Sequence, residues 1–560
     1  MRNVVSATLI LLLFSFASQA GAQNRMGMEK YWIFLTDKGD ISAIQPQEIL
    51  TQRALDRRAK HGVAVDFRDY PVHPAYREAL AGTGAELRHP SKWFNAVSVW
   101  MDDATKEQVA ALPFVREIKL IPKVIVDYDA PDPISYKIGY DAGSTAAQLD
   151  MIGLDQLHQN GYNGRGVLIA VMDNGFDELD QNPHLEHLIS NNQLVATYDF
   201  VNDEVDVFNQ GNHGHWVLSI LAGWYEDPFN SEGNFYGSAH GADFILCHTE
   251  EDAAETNREE DNWVAAMEFA DSLGADILST SLGYRDFDGG FDYGYAGLDG
   301  NTTIITRGAD IAASRGIIVV NSAGNNGNGK LLAPADGDSV IAVGAVNSER
   351  IVAGFSSRGP AYDGRIKPDV CAMGTQTSFI NKGGIFARGN GTSFSCPVIS
   401  GFLACLLQAA PEKTNMELYD ALIRSADRFD NPDEAYGYGI PSVKSAFKAV
   451  TGENIAGAVT TESLVENGLQ VFPNPAGDQF SLVVDNESTA YPAVFQIVDT
   501  RGKIVLEREL TVAPFYNVLH FDRATDYPNL SAGMYTVRLR AADDSAVGSL
   551  NLTARLSLFD

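Results

Sequence analysis

Asn390-Gly391-Thr392-Ser393-Phe394-Ser395-Cys396-Pro397 runs without interruption into an apolar segment over 398–409. Glycine permits a tight turn, proline suits a first helical turn, and the apolar character extends nearly all round the helix that follows. Such a helix belongs at the centre of a layered domain, and the flanking sequence supplies the layers. From residue 146 to about 450, short apolar strands alternate with amphipathic helices: strand 167–172, helix 263–273, strand 275–279, helix 309–315, strand 317–321. This alternation predicts an α/β fold in which a mostly parallel sheet is flanked by helices.

On the amino-terminal side, residues 30–123 read as a small α+β unit. Strands are expected at 31–36, near 94–101 and at 115–121, with helices around 47–61 and 104–112. The alternation Asn95-Ala96-Val97-Ser98-Val99 suggests a sheet buried on one face. The stretch 124–143, rich in Tyr, Asp and Pro, reads as an exposed connector. Beyond residue 453 a polar linker leads into strands separated by turns. Thr500-Arg501-Gly502 is one such turn, and the tail reads as a small all-β sandwich. A 560-residue chain with several such units is multi-domain.

Met1-Arg2-Asn3, an apolar run over 4–17 and the small residues Ser18 to Ala22 form the pattern of a secretory signal peptide. The run is shorter than the roughly 20 residues that span a bilayer, so no stable membrane insertion is expected. With 41 basic and 73 acidic residues the formal net charge is −32, which repels a phosphate backbone and argues against nucleic acid as a partner. Cys247, Cys371, Cys396 and Cys405 allow one or two disulfides in an oxidising compartment, or buried thiols. Their scatter does not suggest a disulfide scaffold or a zinc site.

Hydrolysis by a serine nucleophile needs a hydroxyl, an imidazole to take its proton, a carboxylate to orient the imidazole and donors for the oxyanion. Asp173 closes the strand at 167–172, ahead of Asn174-Gly175; an Asp in such a place is also a common turn residue. Asn212-His213-Gly214-His215-Trp216-Val217 opens a helix. Two histidines one residue apart also suit metal ligation, but no third ligand nearby has suitable spacing. Ser393 falls at a helix amino terminus, where backbone amides favour developing negative charge; a capping serine is the plainer alternative. Asn325, in Ser322-Ala323-Gly324-Asn325 after a buried strand, is either a turn residue or an amide donor.

Taken in order, these segments resemble the subtilase family. Asp-x-Gly matches Asp173-Asn174-Gly175, His-Gly-Thr-x-Val matches His213 to Val217, Ala-Gly-Asn matches Ala323 to Asn325, and Gly-Thr-Ser-x-x-x-Pro matches Gly391 to Pro397. The order Asp, His, Ser is that of subtilisin. His215 stands where threonine is usual, which raises the question of what packs beneath His213. The resemblance implies a catalytic triad of Asp173, His213 and Ser393, an oxyanion-hole donor at Asn325, and a substrate pocket walled by Ser281, Leu282 and Gly283 and by Ser322, Ala323 and Gly324. It implies protein or peptide substrates and no required cofactor. Structural calcium is compatible with the family, although no acidic loop fixes a site.

The resemblance also reads the flanks. Residues 1–22 are then a cleaved signal peptide, 23–126 an inhibitory pro-region, 127–452 the catalytic domain, 453–469 a linker, and 470–560 a domain similar to the carboxy-terminal sorting signal read by the type IX secretion machinery. Phe472-Pro473-Asn474-Pro475-Ala476, Val498 to Lys503 and Leu530 to Tyr535 carry that last match. The protein is expected to cross the periplasm and end secreted or at the cell surface. The competing reading is an inactive, surface-displayed binding protein on a subtilase fold. A lipase or esterase fits less well, since Gly-x-Ser-x-Gly is absent around Ser393.

Overall fold

The computed structural model describes residues 25, 27–121, 125–126, 145–226, 234–250, 260–285, 294–328 and 331–455, and in the carboxy-terminal region 469–472, 479–486, 491–512, 515–522, 527, 530–531, 533–541 and 551–558. The expected signal peptide, nearly all of the 124–143 connector and most of the 453–469 linker lie outside the described residues. Two compact units result: residues 1–154 with 163–453, and residues 155–162 with 454–560.

The first unit begins with a four-stranded antiparallel sheet of β1 (Glu29–Leu35), β2 (Glu86–Ser91), β3 (Ala96–Met101) and β4 (Val115–Leu120), in the order β2-β3-β1-β4. The helical stretch expected around 47–61 is two helices, Pro46–Ile49 and α1 (Gln52–Lys60). Thr51 breaks them apart, its backbone extended and its side chain accepting from the Ala54 amide as the cap of α1. Strand β2 escapes a periodicity argument because it reads Glu-Leu-Arg-His-Pro-Ser. The sheet is buried on both faces, not one. Tyr31, Ile33, Leu35, Val97 and Val99 close a core beneath Leu80 and Val109, while Trp32, Phe34 and Ala96 join a larger core built on the helices of the next subdomain. Ser98 looks solvent-directed in the sequence because it is polar, yet it is fully buried and its hydroxyl donates to Asp261 at 2.5 Å.

After β5 (Ile125–Val126) comes the central sheet. Its strands are β6 (Leu168–Asp173), β7 (Leu194–Asp199), β8 (Asp243–His248), β9 (Ile277–Thr280), β11 (Ile318–Ser322), β12 (Val340–Val346) and β13 (Val370–Met373); a two-residue strand, β10 (Tyr284–Arg285), pairs antiparallel with β5. The seven run β13-β12-β11-β9-β6-β8-β7, every pairing parallel. Helices α2 (His213–Ala222), α3 (Glu260–Leu273), α4 (Ile304–Ser314) and α5 (Thr392–Ala409) cover the sheet, with the hairpin β14 (Thr377–Asn381) and β15 (Ile385–Gly389) between β13 and α5. Apolar strands buried on both faces are what a parallel sheet under helices requires. All four cysteines are buried and unpaired.

The amino-terminal sheet docks on α3 through buried charge. Lys30 pairs with Asp261 at 2.5 Å; Arg57, Arg58 and Lys92 converge on Asp271 at 2.5, 2.8 and 3.1 Å. Glu268 accepts from the Ser91 hydroxyl and from the amides of Lys92 and Trp93. A fully buried carboxyl is tolerated here because both of its oxygens have donors.

In the second unit, β16 (Leu469–Phe472), β17 (Gln479–Asn486) and β20 (Phe515–Asp522) form one antiparallel sheet; β18 (Tyr491–Asp499), β19 (Ile504–Val512), β21 (Gly533–Ala541) and β22 (Asn551–Leu558) form another. Phe480, Leu482 and Phe521 from the first sheet share a core with Phe495, Ile497, Val537, Leu539 and Leu556 from the second, which makes a β-sandwich.

Candidate active site

Asp173 is the last residue of β6 and Ser322 the last of β11, so the residues singled out above gather where the parallel strands end. Helix α2 reaches that edge because residue 214 is glycine: a Cβ there would lie 2.4 Å from the Gly175 carbonyl oxygen and 2.9 Å from Asp173 Cβ. The Asn174 side-chain oxygen accepts from the amides of His213 and Gly214, satisfying the helix's first donors. His213 Nδ1 then lies 2.7 Å from Asp173 Oδ1, with both groups buried. A carboxylate on Nδ1 fixes the tautomer whose Nε2 lone pair can take a proton.

His215 is held differently. Its Nδ1 donates to the Asp177 carbonyl at 2.9 Å, its Nε2 accepts from the Asn182 amide at 2.8 Å, and burial lowers its pKa. Both ring nitrogens are used in packing α2 against the 177–182 turn. The departure from threonine therefore leaves the His213–Asp173 contact in place.

Ser393 stands in the first turn of α5, and the next residue, Phe394, places its ring 6.4 Å from that of His213. The helix starts at Thr392, so Pro397 belongs to its second turn and not, as the sequence suggests, its first. Proline there has no N–H for the carbonyl four residues back, which is that of Ser393. That carbonyl accepts instead from the Ser281 hydroxyl at 3.0 Å, tying the loop after β9 to the backbone of the serine.

Asn325 is oriented by the same helix. Its Oδ1 accepts from the Thr392 amide at 2.9 Å and hydroxyl at 3.1 Å, which turns the Nδ2 donor away from Thr392. The Gly324 amide donates to that hydroxyl at 3.1 Å. Sequence reasoning named Asn325 and Ser281 but missed Thr392 and Asn174 as the groups that orient the site; their places inside the Gly-Thr-Ser and Asp-x-Gly motifs are the signal that could have found them. The segments 281–283 and 322–324 lie at the ends of adjacent strands, β9 and β11. Among the described residues no group of three His, Cys, Asp or Glu side chains is arranged to hold a metal ion.

Comparison with known proteins finds a match in each of the three regions of the chain. Residues 164–439 match the subtilase family model, residues 30–132 a peptidase S8 propeptide domain of Bacteroidota, and residues 470–550 a secretion system C-terminal sorting domain. Subtilisin E of Bacillus subtilis (strain 168) is 28% identical over 376 residues, 66% of this chain and 85% of the relative. Subtilisin of Bacillus pumilus is 29% identical over 311 residues, 54% of this chain and 99% of the relative. Thermophilic serine proteinase of Bacillus sp. (strain AK1) is 30% identical over 274 residues, 49% of this chain and 60% of the relative. The propeptide and sorting domains mark a secreted or cell-surface protein. Along this chain a domain matching the subtilase family thus lies between a peptidase S8 propeptide domain and a type IX secretion sorting domain.

Proposed function

We propose that this protein is a serine endopeptidase acting through Asp173, His213 and Ser393. The observation that carries the reading is the 2.7 Å contact between His213 Nδ1 and Asp173 Oδ1, at the sheet edge where α5 delivers Ser393. Ser393 Oγ attacks a peptide carbonyl as His213 Nε2 takes its proton. The tetrahedral oxyanion is held by Asn325 Nδ2 and the Ser393 amide. His213 then protonates the leaving amine, and water releases the acyl-enzyme by the same route. A side-chain oxyanion donor of this kind contributes about 3 kcal/mol to lowering the barrier.

In this reading residues 1–22 direct export and are removed, 23–126 silence the enzyme until it is exported, 127–452 carry the chemistry, 453–469 form a linker, and 470–560 are read by the type IX machinery. A fluorophosphonate probe tests the chemistry. Stoichiometric labelling of Ser393, lost in His213→Ala, is the expected result. Correctly processed protein that takes no label and cleaves no peptide would instead be a binding protein on this fold.

A further inference from the structure

The two segments expected to wall the substrate pocket carry a glycine each, Gly283 and Gly324, and the space those glycines leave is filled from within the chain. A Cβ on Gly283 would lie 2.5 Å from Leu332 Cβ and 2.6 Å from its Cδ1; a Cβ on Gly324 would lie 2.7 Å from Leu332 Cγ and 2.8 Å from the same Cδ1. One isobutyl group therefore sits against both walls. Leu332 is 2% exposed.

Its backbone leaves it little freedom. The Leu332 amide donates to the Ala323 carbonyl at 3.3 Å, on one wall. One residue on, Ala333 exchanges two hydrogen bonds with Tyr284, next to Gly283 on the other wall, at 3.1 and 3.0 Å. The segment 331–335 thus crosses between the walls as a floor, and its one large side chain beside both glycines points up between them. The Ser281 hydroxyl, two residues from Gly283, binds the Ser393 carbonyl, so this gap opens beside the serine.

The geometry points to Leu332 as the residue that sets specificity, by making the pocket for the residue on the acyl side of the scissile bond shallow. This rests on the serine-protease reading above. A side chain entering between the walls meets the Leu332 methyls after its first carbon or two. Peptides with alanine, glycine or serine at that position fit; those with phenylalanine, tyrosine or leucine must displace a buried, backbone-anchored side chain, and close-packed interiors resist such overpacking. The substrate class is accordingly protein segments with a small residue before the cleaved bond.

The test uses mature enzyme and a series of peptide p-nitroanilides that differ only in the residue preceding the anilide. For wild type, kcat/KM with alanine is expected to exceed that with phenylalanine by at least about 100-fold, the scale on which an apolar pocket discriminates size. Leu332→Ala and Leu332→Gly should reduce that ratio by at least about 10-fold. Wild type that cleaves the phenylalanine substrate as well as the alanine one overturns the proposal, as does an unmoved ratio in a Leu332→Ala enzyme that still takes up phosphonate at Ser393. If Leu332→Ala fails to fold and takes no label, the wild-type profile decides alone. A wild type that takes no phosphonate and cleaves none of the series defeats the serine-protease reading itself and the pocket with it.

Discussion

His213 and His215 stand one residue apart on the same helix, and their surroundings separate their roles. His213 shares its Nδ1 with a carboxylate, whereas His215 spends one nitrogen on a backbone carbonyl and the other on an amide. His213→Ala is expected to lower kcat by at least about 10⁴-fold, and Ser393→Ala equally, because nucleophile and base act as one unit. His215→Thr should retain activity within about tenfold, since it removes packing and leaves the base. Steady-state kinetics on a single peptide substrate checks all three. A mild His213→Ala alongside a severe His215→Ala would reverse the assignment. The candidate residues could be picked out in the sequence because serine hydrolysis dictates their type, and the subtilase resemblance supplies the order of their motifs. Leu332 was not legible in the same way, since leucine carries no chemical signature; Thr392 stood in the Gly-Thr-Ser motif, but its role arises from contacts with Gly324 and Asn325, far away in the chain.

Helix α3 shows what a periodicity argument misses. The sequence reads residues 263–273 as an amphipathic helix, yet the carboxylates Asp261, Glu268 and Asp271 are all fully buried. Asp271→Ala takes the carboxylate from Arg57 and Lys92 and leaves Arg58 with Asp69 alone, and removing one partner from such a buried set costs about 3–5 kcal/mol. A lower Tm for the Ser393→Ala precursor carrying Asp271→Ala, against Ser393→Ala alone, is the expected result. Acid should loosen the same interface through His89. Its Nε2 lies 3.0 Å from the Phe200 carbonyl and 2.9 Å from Asn262 Oδ1, so that nitrogen must be the protonated donor of a neutral ring. Burial, with Arg88 and Lys30 nearby outweighing Asp261, pushes its pKa down to about 3 from 6.5. The released state therefore binds a proton that the docked state does not. Stability is full above pH 6.5 and falls as the pH drops toward 3, by about 2 kcal/mol at pH 5. Precursor melting between pH 7 and 5 should show this slope, and His89→Gln should flatten it; equal slopes would remove His89 from the account.

At the scale of the molecule, the order of α+β unit, parallel α/β domain and β-sandwich could be read directly, because each has its own hydrophobic period. The extent of their burial could not, since a helix face covered by another subdomain has the same composition as one covered by solvent only when its charges are paired, as here. Maturation follows from the docked amino-terminal sheet: purified active enzyme is expected to begin within residues 124–143, and Ser393→Ala to retain the preceding region if the cut is its own. Amino-terminal sequencing of both proteins decides, and active enzyme beginning near Gln23 would end the pro-region proposal. The four cysteines extend the description from structure to time. Burial raises all four thiols above their ordinary range, Cys396 to about 12, so none is reactive while the domain is closed. Because β8, β13 and α5 each carry at least one of them, a thiol reagent reacts only as fast as those elements come apart. The subtilisin-like domain thus contains its own stopwatch for core opening, readable residue by residue, with no label introduced and no bond to reduce first.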